Sequence, residues 1–269
     1  MQQPIAILDS GVGGLTVVKE VLRQLPREKV IYFGDTARAP YGPRTPEEVR
    51  QFTREVVDYL VQYDPKMIVI ACNTATAVSL LDIRARVDIP VVGVINPGAR
   101  AAIGRTKTGC VGVIGTEGTI KSRAYEDALR LLSPHVQVVS EACPQFVPLV
   151  EKGNFRSVET YEVVRSAIEH MRSYPIDCLI LGCTHYPYLS ETISEVMGEE
   201  VNLINSAEET AREVSAILQD QQKLAKSEHI PVHHFFCSGD PKMFKFIAQQ
   251  WLGEQIELTP VIWQVPNIS

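Results

Sequence analysis

Two cysteines frame the chemistry open to this sequence. Cys72, in "VIACNTAT" (69–76), and Cys183, in "LILGCTHY" (179–186), each end an apolar run, and each is followed within two residues by a threonine. In open α/β sheets, ligands bind beyond the carboxyl ends of the strands, where the amides of the next helix are unsatisfied. Both cysteines occupy such a place. With Asn73, Thr74 or Thr184 capping the next helix, each thiol lies at a positive dipole end, which is expected to draw its pKa from about 8.5 towards neutrality. A thiol so placed is a general base when ionised and a general acid when protonated. If the two halves carrying them face one another, the thiols reach a small substrate from opposite sides. Removing a proton from one face of a carbon and delivering one to the other is stereoinversion.

The neighbouring loops supply what such a reaction needs. Asp9 and Ser10, at the end of the first strand, can receive an ammonium group and tune a thiol. "GTEGT" (115–119) sets Thr116 and Thr119 around a helix N-terminus, a place suited to a carboxylate. His185, two residues after Cys183, is placed to share its proton. Each residue also has a purely structural use: a buried cysteine packs as a small core residue, a histidine caps, and an aspartate before Gly11 forms a turn. Cys110, Cys143, Cys178 and Cys237 have no polar loop partners and read as packing.

The elements that must position these residues alternate between short apolar runs and stretches of helical periodicity. The first series runs "IAIL" (5–8), a helix over 14–25, "VIYFG" (30–34), a helix over 46–63, "MIVIA" (67–71), a helix over 74–87 and "VVGV" (91–94). A second follows with "CVGVIG" (110–115), a helix over 117–132, "VQVVS" (136–140), a helix over 157–172, "CLILG" (178–182), a helix near 187–197 and "VNLI" (201–204). The closing segment holds a polar helix over 207–226, "VHHFFCS" (232–238), a helix over 241–252 and "ELTPVIW" (257–263). Continuous apolar strands between helices imply parallel sheets covered on both faces. The series resemble each other, with "NPGA" (96–99) and "NSAE" (205–208) as crossings between halves. The expectation is α/β: two similar doubly wound domains with mainly parallel sheets, related by a pseudo-twofold, with the site in the cleft between them. Residues 1–96 with 207–269 form the first domain, and 97–206 the second.

Composition narrows the rest. The chain has 269 residues, 45% hydrophobic and 22% charged, an ordinary globular balance that leaves no reason to expect disorder. Its net charge of −6, with both signs interspersed, offers no basic face for nucleic acid. No signal peptide or membrane-length apolar run is present, so a cytosolic protein with free thiols is expected. No N-terminal extension precedes the first strand in this sequence, so regulation through such an extension is not expected. "GVGGLT" (11–16) lacks the third glycine of a dinucleotide fingerprint, and no P-loop or C-x-x-C occurs. A cysteine phosphatase wants arginine six residues after its nucleophile, where this chain has Val78 and Leu189. His233, His234 and Cys237 suggest a metal only weakly, since residues 233, 235 and 237 alternate along one strand face.

The motifs "DSGVGGLTV" (9–17), "GDTARAPYGPR" (34–44), "ACNTAT" (71–76), "GVIGTEGTI" (112–120) and "LGCTHYP" (181–187) together resemble the glutamate racemases of the cofactor-independent aspartate/glutamate racemase superfamily, over essentially the whole chain. The resemblance implies interconversion of L- and D-glutamate by two bases, Cys72 acting on the D-enantiomer and Cys183 on the L-enantiomer. It implies that Asp9 and His185 assist the thiols, and that Ser10, Tyr41, Gly42, Asn73, Thr74, Thr116, Thr119 and Thr184 bind the carboxylates and ammonium. Glu151, in "VPLVEKG" (147–153), matches a family acid near His185; read alone, it is an exposed helix-end glutamate. Aspartate racemases tend to carry glutamate after the second C-T, so His185 favours glutamate as substrate. No lysine stands in these motifs, so no pyridoxal cofactor is implied, and no metal. A bacterial cytoplasm, a homodimer and supply of D-glutamate to peptidoglycan are the further implications. Two other classes fit the same residues: a silent amino-acid-binding protein, which detectable turnover would exclude, and a cysteine hydrolase using Cys183 with His185, which would tolerate Cys72→Ser.

Overall fold

Strand-forming runs without polar alternation have no face to offer solvent, and they fold as the interior of parallel sheets. The computed structural model, which describes residues 3–226, 229–252 and 257–261, contains two such sheets. The first half alternates β1 (Ile5–Asp9), α1 (Leu15–Gln24), β2 (Val30–Gly34), α2 (Pro46–Leu60), β3 (Met67–Ile70), α3 (Asn73–Arg86) and β4 (Val91–Gly93). After α4 (Ile95–Arg105) come β5 (Cys110–Gly115), α5 (Glu117–Ser122), α6 (Ala124–Leu132), β6 (Gln137–Ala142), α7 (Phe146–Glu151), α8 (Val158–Ile168), β7 (Cys178–Gly182), α9 (Ser190–Met197) and β8 (Asn202–Asn205). The chain then returns through α10 (Ser206–Asp220) to β9 (His234–Cys237), α11 (Pro241–Leu252) and β10 (Glu257–Pro260).

All strand pairs are parallel. The first sheet has the order β10-β9-β2-β1-β3-β4 and the second β6-β5-β7-β8. Without β9 and β10, each half has its second strand outside its first, then its third and fourth, so the two predicted series are two copies of one topology. Every residue of β1, β2, β3, β5 and β7 is buried. Each such Val, Ile or Leu stabilises the fold by roughly 1.5–3 kcal/mol relative to exposure. One apolar cluster joins the halves, with Ile7, Leu15 and Val69 of the first in the same core as Ile114, Leu181 and Tyr186 of the second.

Local signals explain several boundaries. α2 starts at a capping box in which Thr45 accepts from the Glu48 N–H and the Glu48 carboxylate accepts from the Thr45 N–H, with Pro46 as first helical residue. Elsewhere the structure departs from the expected elements. The crossing at 96–99 is part of α4, because Pro97 lies in the first turn, where its missing N–H is not needed. The helix over 117–132 is broken into α5 and α6 by Arg123, in the left-handed region at φ 58°. α7 was foreseen only at its end, where Glu151 reads as a helix-end residue, and it also tolerates proline in its first turn, at Pro148. The polar helix over 207–226 stops at Asp220. Of the last strand, 257–261 are described, and 262–263 lie outside the described residues. The return to the first sheet is tied at the amino ends of its strands by a buried ion pair, Lys66 Nζ to Glu28 Oε2 at 2.5 Å. Lys66 also donates to the Lys223 carbonyl and Glu28 accepts from the Ala225 N–H, both at 2.7 Å. Among the described residues no helix is long and apolar enough to cross a membrane.

Candidate active site

Cys72 follows β3 and turns the chain into α3. Its own backbone is extended (φ −67°, ψ 123°), so the cysteine is itself the N-cap, and its Sγ accepts from the Ala75 N–H at 3.4 Å. Asn73 and Thr74, expected as caps, are instead the first helical residues. The thiol donates to Ser10 Oγ at 3.7 Å. The expected shift of this thiol towards neutrality is overturned. Burial pushes it up to about 12, the Asp9 carboxylate adds to the rise, and the Ala75 N–H and Ser10 oppose it too weakly. A helix end offers only partial charge, which does not replace lost hydration.

Cys183 stands just beyond β7, where the chain enters a 3-10 turn over Tyr186–Leu189 rather than an α-helix. Its Sγ is 3.8 Å from His185 Nδ1, and on the far side of the imidazole Nε2 lies 3.4 Å from Glu151 Oε1 without hydrogen-bond geometry. Burial disfavours the imidazolium, but Cys183, Glu151 and Asp9 outweigh it, and the histidine pKa is raised. Thr184, expected as a cap, turns its hydroxyl to Asp9 Oδ1 at 3.4 Å. The Asp9 Oδ2 accepts from the Gly11 N–H at 3.0 Å. Burial raises the Asp9 pKa against the opposing pull of His185 and these hydrogen bonds. Asp9 therefore reaches across to the second half's loop. The approach is so close at Gly13 that an added Cβ would lie 2.3 Å from Thr184 Oγ1 and 2.5 Å from His185 Nδ1. From the returning segment, Trp251 stacks on Tyr188 at 3.9 Å and presents an edge to His185 at 6.4 Å.

The two halves also meet at three threonines. Thr74 Oγ1 is 2.8 Å from Thr116 Oγ1 and 3.3 Å from Thr119 Oγ1, and the last two are 3.1 Å apart. Thr116 caps α5 by accepting from the Thr119 N–H. Beside them Gly42 O accepts from the Gly118 N–H at 3.0 Å, and a Cβ on Gly42 would come within 2.9 Å of Thr116 Cβ. Tyr41 gives its hydroxyl to Asp35, a fully buried carboxylate that also takes Arg38 and Ser238, so this loop is fixed from behind. Asn73 Oδ1 accepts from the Tyr125 hydroxyl at 2.7 Å.

These contacts surround a small cavity of about 30 Å³. Ser10, Tyr41, Gly42, Cys72, Asn73, Thr74, Thr116, Glu151, Cys183, Thr184 and His185 line it, with Gly11, Ala39, Pro40 and Val147. Both thiols thus open on one space, one from each sheet. Asp9 and Thr119 stand behind the wall and act on it through Thr184, Gly11 and Thr116. Cys110, Cys143, Cys178 and Cys237 are free, buried and away from the cavity. His233 Nδ1 accepts from the Val30 N–H, and no metal-binding group of three His, Cys, Asp or Glu exists among the described residues.

A family model described as Asp/Glu/hydantoin racemase matches residues 6–214. This chain belongs to that family. As a racemase-family protein it is an isomerase, and its relatives agree over nearly their whole length. It is 54% identical over 257 residues to the glutamate racemase of Bacillus cereus, covering 96% of each chain. Its structure matches a glutamate racemase isoform of Bacillus anthracis with TM-score 0.95 and 48% identity, over 98% of this chain and 99% of that one. A glutamate racemase of Francisella tularensis, solved in complex with D-glutamate, matches with TM-score 0.91 and 32% identity over 97% of both. Sequence reasoning missed Tyr125, Gly13 and Trp251. Gly13 lay inside a quoted motif, but Tyr125 and Trp251 carry no local signal, since only the fold shows what an apolar-face aromatic reaches.

Proposed function

We propose that this protein is a glutamate racemase, interconverting L- and D-glutamate without a cofactor by two thiols. The observation that carries the reading is that Cys72 and Cys183, each at the carboxyl end of the third strand of its own sheet, line the same small cavity. The chemistry follows from their surroundings. With L-glutamate, Cys183 takes the α-proton beside His185, and Cys72, held as a thiol by burial, delivers its own proton to the opposite face. In the reverse direction Cys72 must be the base. The substrate ammonium then supplies the positive charge that no neighbouring side chain gives Cys72.

An α-proton next to a carboxylate is a weak acid, so carbanionic character needs oriented donors in a dry site. The Asn73 amide and the hydroxyls of Ser10, Thr74 and Thr116 are those donors, while the Thr184 hydroxyl, which gives its proton to Asp9, is left to accept from the substrate ammonium. Tyr41 and Gly42 contribute through the shape of their loop, and Thr119 supports Thr116. Asp9 fixes Thr184, and Glu151 holds the outer side of His185.

The division into 1–96 with 207–269 and 97–206 is supported by β9 and β10 joining the first sheet. Closure of the two parts over substrate would show as glutamate-dependent protection of 39–42 and 116–119 in hydrogen exchange, and equal protection with and without glutamate would count against it. A homodimer in the bacterial cytoplasm, supplying D-glutamate for peptidoglycan, completes the reading. Sedimentation tests the first part, and rescue of a depleted strain by D-glutamate the second. The activity itself is tested by incubating purified protein with L-glutamate and resolving the product on a chiral column. D-glutamate formed without added cofactor is the expected result, and its absence from folded, reduced protein overturns the proposal.

A further inference from the structure

Asn73 has two faces that chemistry distinguishes. One amide group offers two donors, and the other offers an acceptor. A donor turned to the cavity suits a carboxylate, whereas an acceptor turned there would repel one. We propose that Tyr125, backed by Ser206, is a positioning residue that holds Asn73 as a donor to the substrate. The inference rests on the racemase reading above.

The hydrogen-bond arithmetic is closed. Tyr125 Oη donates to Asn73 Oδ1 at 2.7 Å and lies 3.1 Å from Ser206 Oγ. A phenol has one proton. With that proton given to Asn73, Ser206 must be the donor to Tyr125, and the chain of polarity runs Ser206 to Tyr125 to Asn73. Tyr125 is 2% exposed and Asn73 is 4% exposed, so water does not compete for the Oδ1. Burial also raises the Tyr125 pKa, which keeps the donated proton in place. With Oδ1 occupied from behind, the amide N–H pair is left to the cavity that Asn73 lines.

The three residues come from α3, α6 and α10, so the orientation of one cavity residue depends on how three helices pack. The packing is tight where it must be. A Cβ on Gly98 of α4 would lie 2.6 Å from Ser206 Oγ and 3.6 Å from Tyr125 Cε1. "NPGA" and "NSAE", which read in sequence only as crossings, therefore meet behind the active site and set its polarity.

The test is a double-mutant cycle on D-glutamate formation. Tyr125→Phe removes one oxygen and keeps the ring. It is expected to lower kcat/KM about tenfold or more in the wild-type background, since a misaligned donor loses part of what a preorganised one supplies. In the Asn73→Ala background the same change is expected to cost nothing further. A merely structural role would cost the same factor in both, and that result overturns the proposal, as does Tyr125→Phe at wild-type kcat/KM. Should Tyr125→Phe fail to fold by thermal melting, Ser206→Ala carries the cycle, with about a threefold loss expected in wild type and none in Asn73→Ala. Asn73→Ala at full rate overturns the role of Asn73 and this inference with it, while leaving racemisation standing. A wild-type protein that makes no D-glutamate overturns both.

Discussion

In the ligand-free protein Cys72 is expected to behave as one of the least reactive thiols that still faces a cavity. Burial and the Asp9 carboxylate push it up to about 12. At about pH 8 an ordinary thiol, with pKa about 8.5, is roughly a quarter thiolate, whereas a thiol at about 12 is ionised to about one part in 10⁴. Alkylation by iodoacetamide follows the thiolate, so Cys72 is expected to react on the order of 10³ times more slowly than a free cysteine at that pH. The rate is expected to rise about tenfold per pH unit to about pH 10 without a plateau. Peptide mapping by mass spectrometry reads Cys72 directly, and Cys178, fully buried in β7, reports any unfolding. Steric shielding alone would slow the reaction but would not move the inflection. Asp9→Asn removes the second contribution to the rise, so Cys72 in that variant is expected to alkylate faster even as racemase activity falls. A plateau near neutral pH, or no acceleration in Asp9→Asn, would refute the electrostatic reasoning.

Further expectations follow from the same geometry. Cys72→Ser and Cys183→Ser are each expected to lower kcat by roughly 10²–10⁴, because neither alcohol replaces its thiol as acid or base; near-normal turnover by either in a chiral assay would point to a single-thiol reaction. Gly13→Ala drives a methyl into Thr184 and His185 and is expected to cost about 100-fold in kcat/KM while the protein remains folded by circular dichroism. Lys66→Met strands a buried Glu28 carboxylate and is expected to lose about 3–5 kcal/mol in urea unfolding, most of it recovered in Glu28→Gln/Lys66→Met. Asp9 has a folded pKa raised above its ordinary 3.8, so its ionisation costs stability as pH rises through the folded value. Asp9→Asn is therefore expected to melt higher than wild type at neutral pH, and a lower melting temperature would contradict the sign.

Strands and site loops were legible in the sequence because their signals are local. An unbroken apolar run such as "MIVI" has one stable solution, a strand covered on both faces, and a polar cluster after it marks a carboxyl end. Helix α4 was hidden because "NPG" is also a turn signal, and the close approach of Gly98 to Ser206 is visible only in the fold. The break at Arg123 carries no signal either, since a non-glycine residue in the left-handed region is held there by its surroundings. Among the site residues, position was readable and protonation was not. That Cys72 lies at a helix N-terminus follows from spacing, but how dry that place is depends on Asp9, Ser10 and the whole second half closing over it. Tyr125 shows the same limit: its hydroxyl meets an amide 52 residues away in sequence.

The central claim, that two thiols act on opposite faces of one carbon, is most directly tested by following L-glutamate in deuterium oxide at low conversion. Each thiol carries a single exchangeable hydrogen, so the one that protonates the product does not carry the proton just removed. The prediction is that D-glutamate appears with deuterium at its α-carbon from the first turnovers while the remaining L-glutamate keeps its α-proton. D-glutamate that retains the original α-proton, or deuterium entering L-glutamate as fast as D-glutamate forms, would show one base serving both faces and would contradict the account.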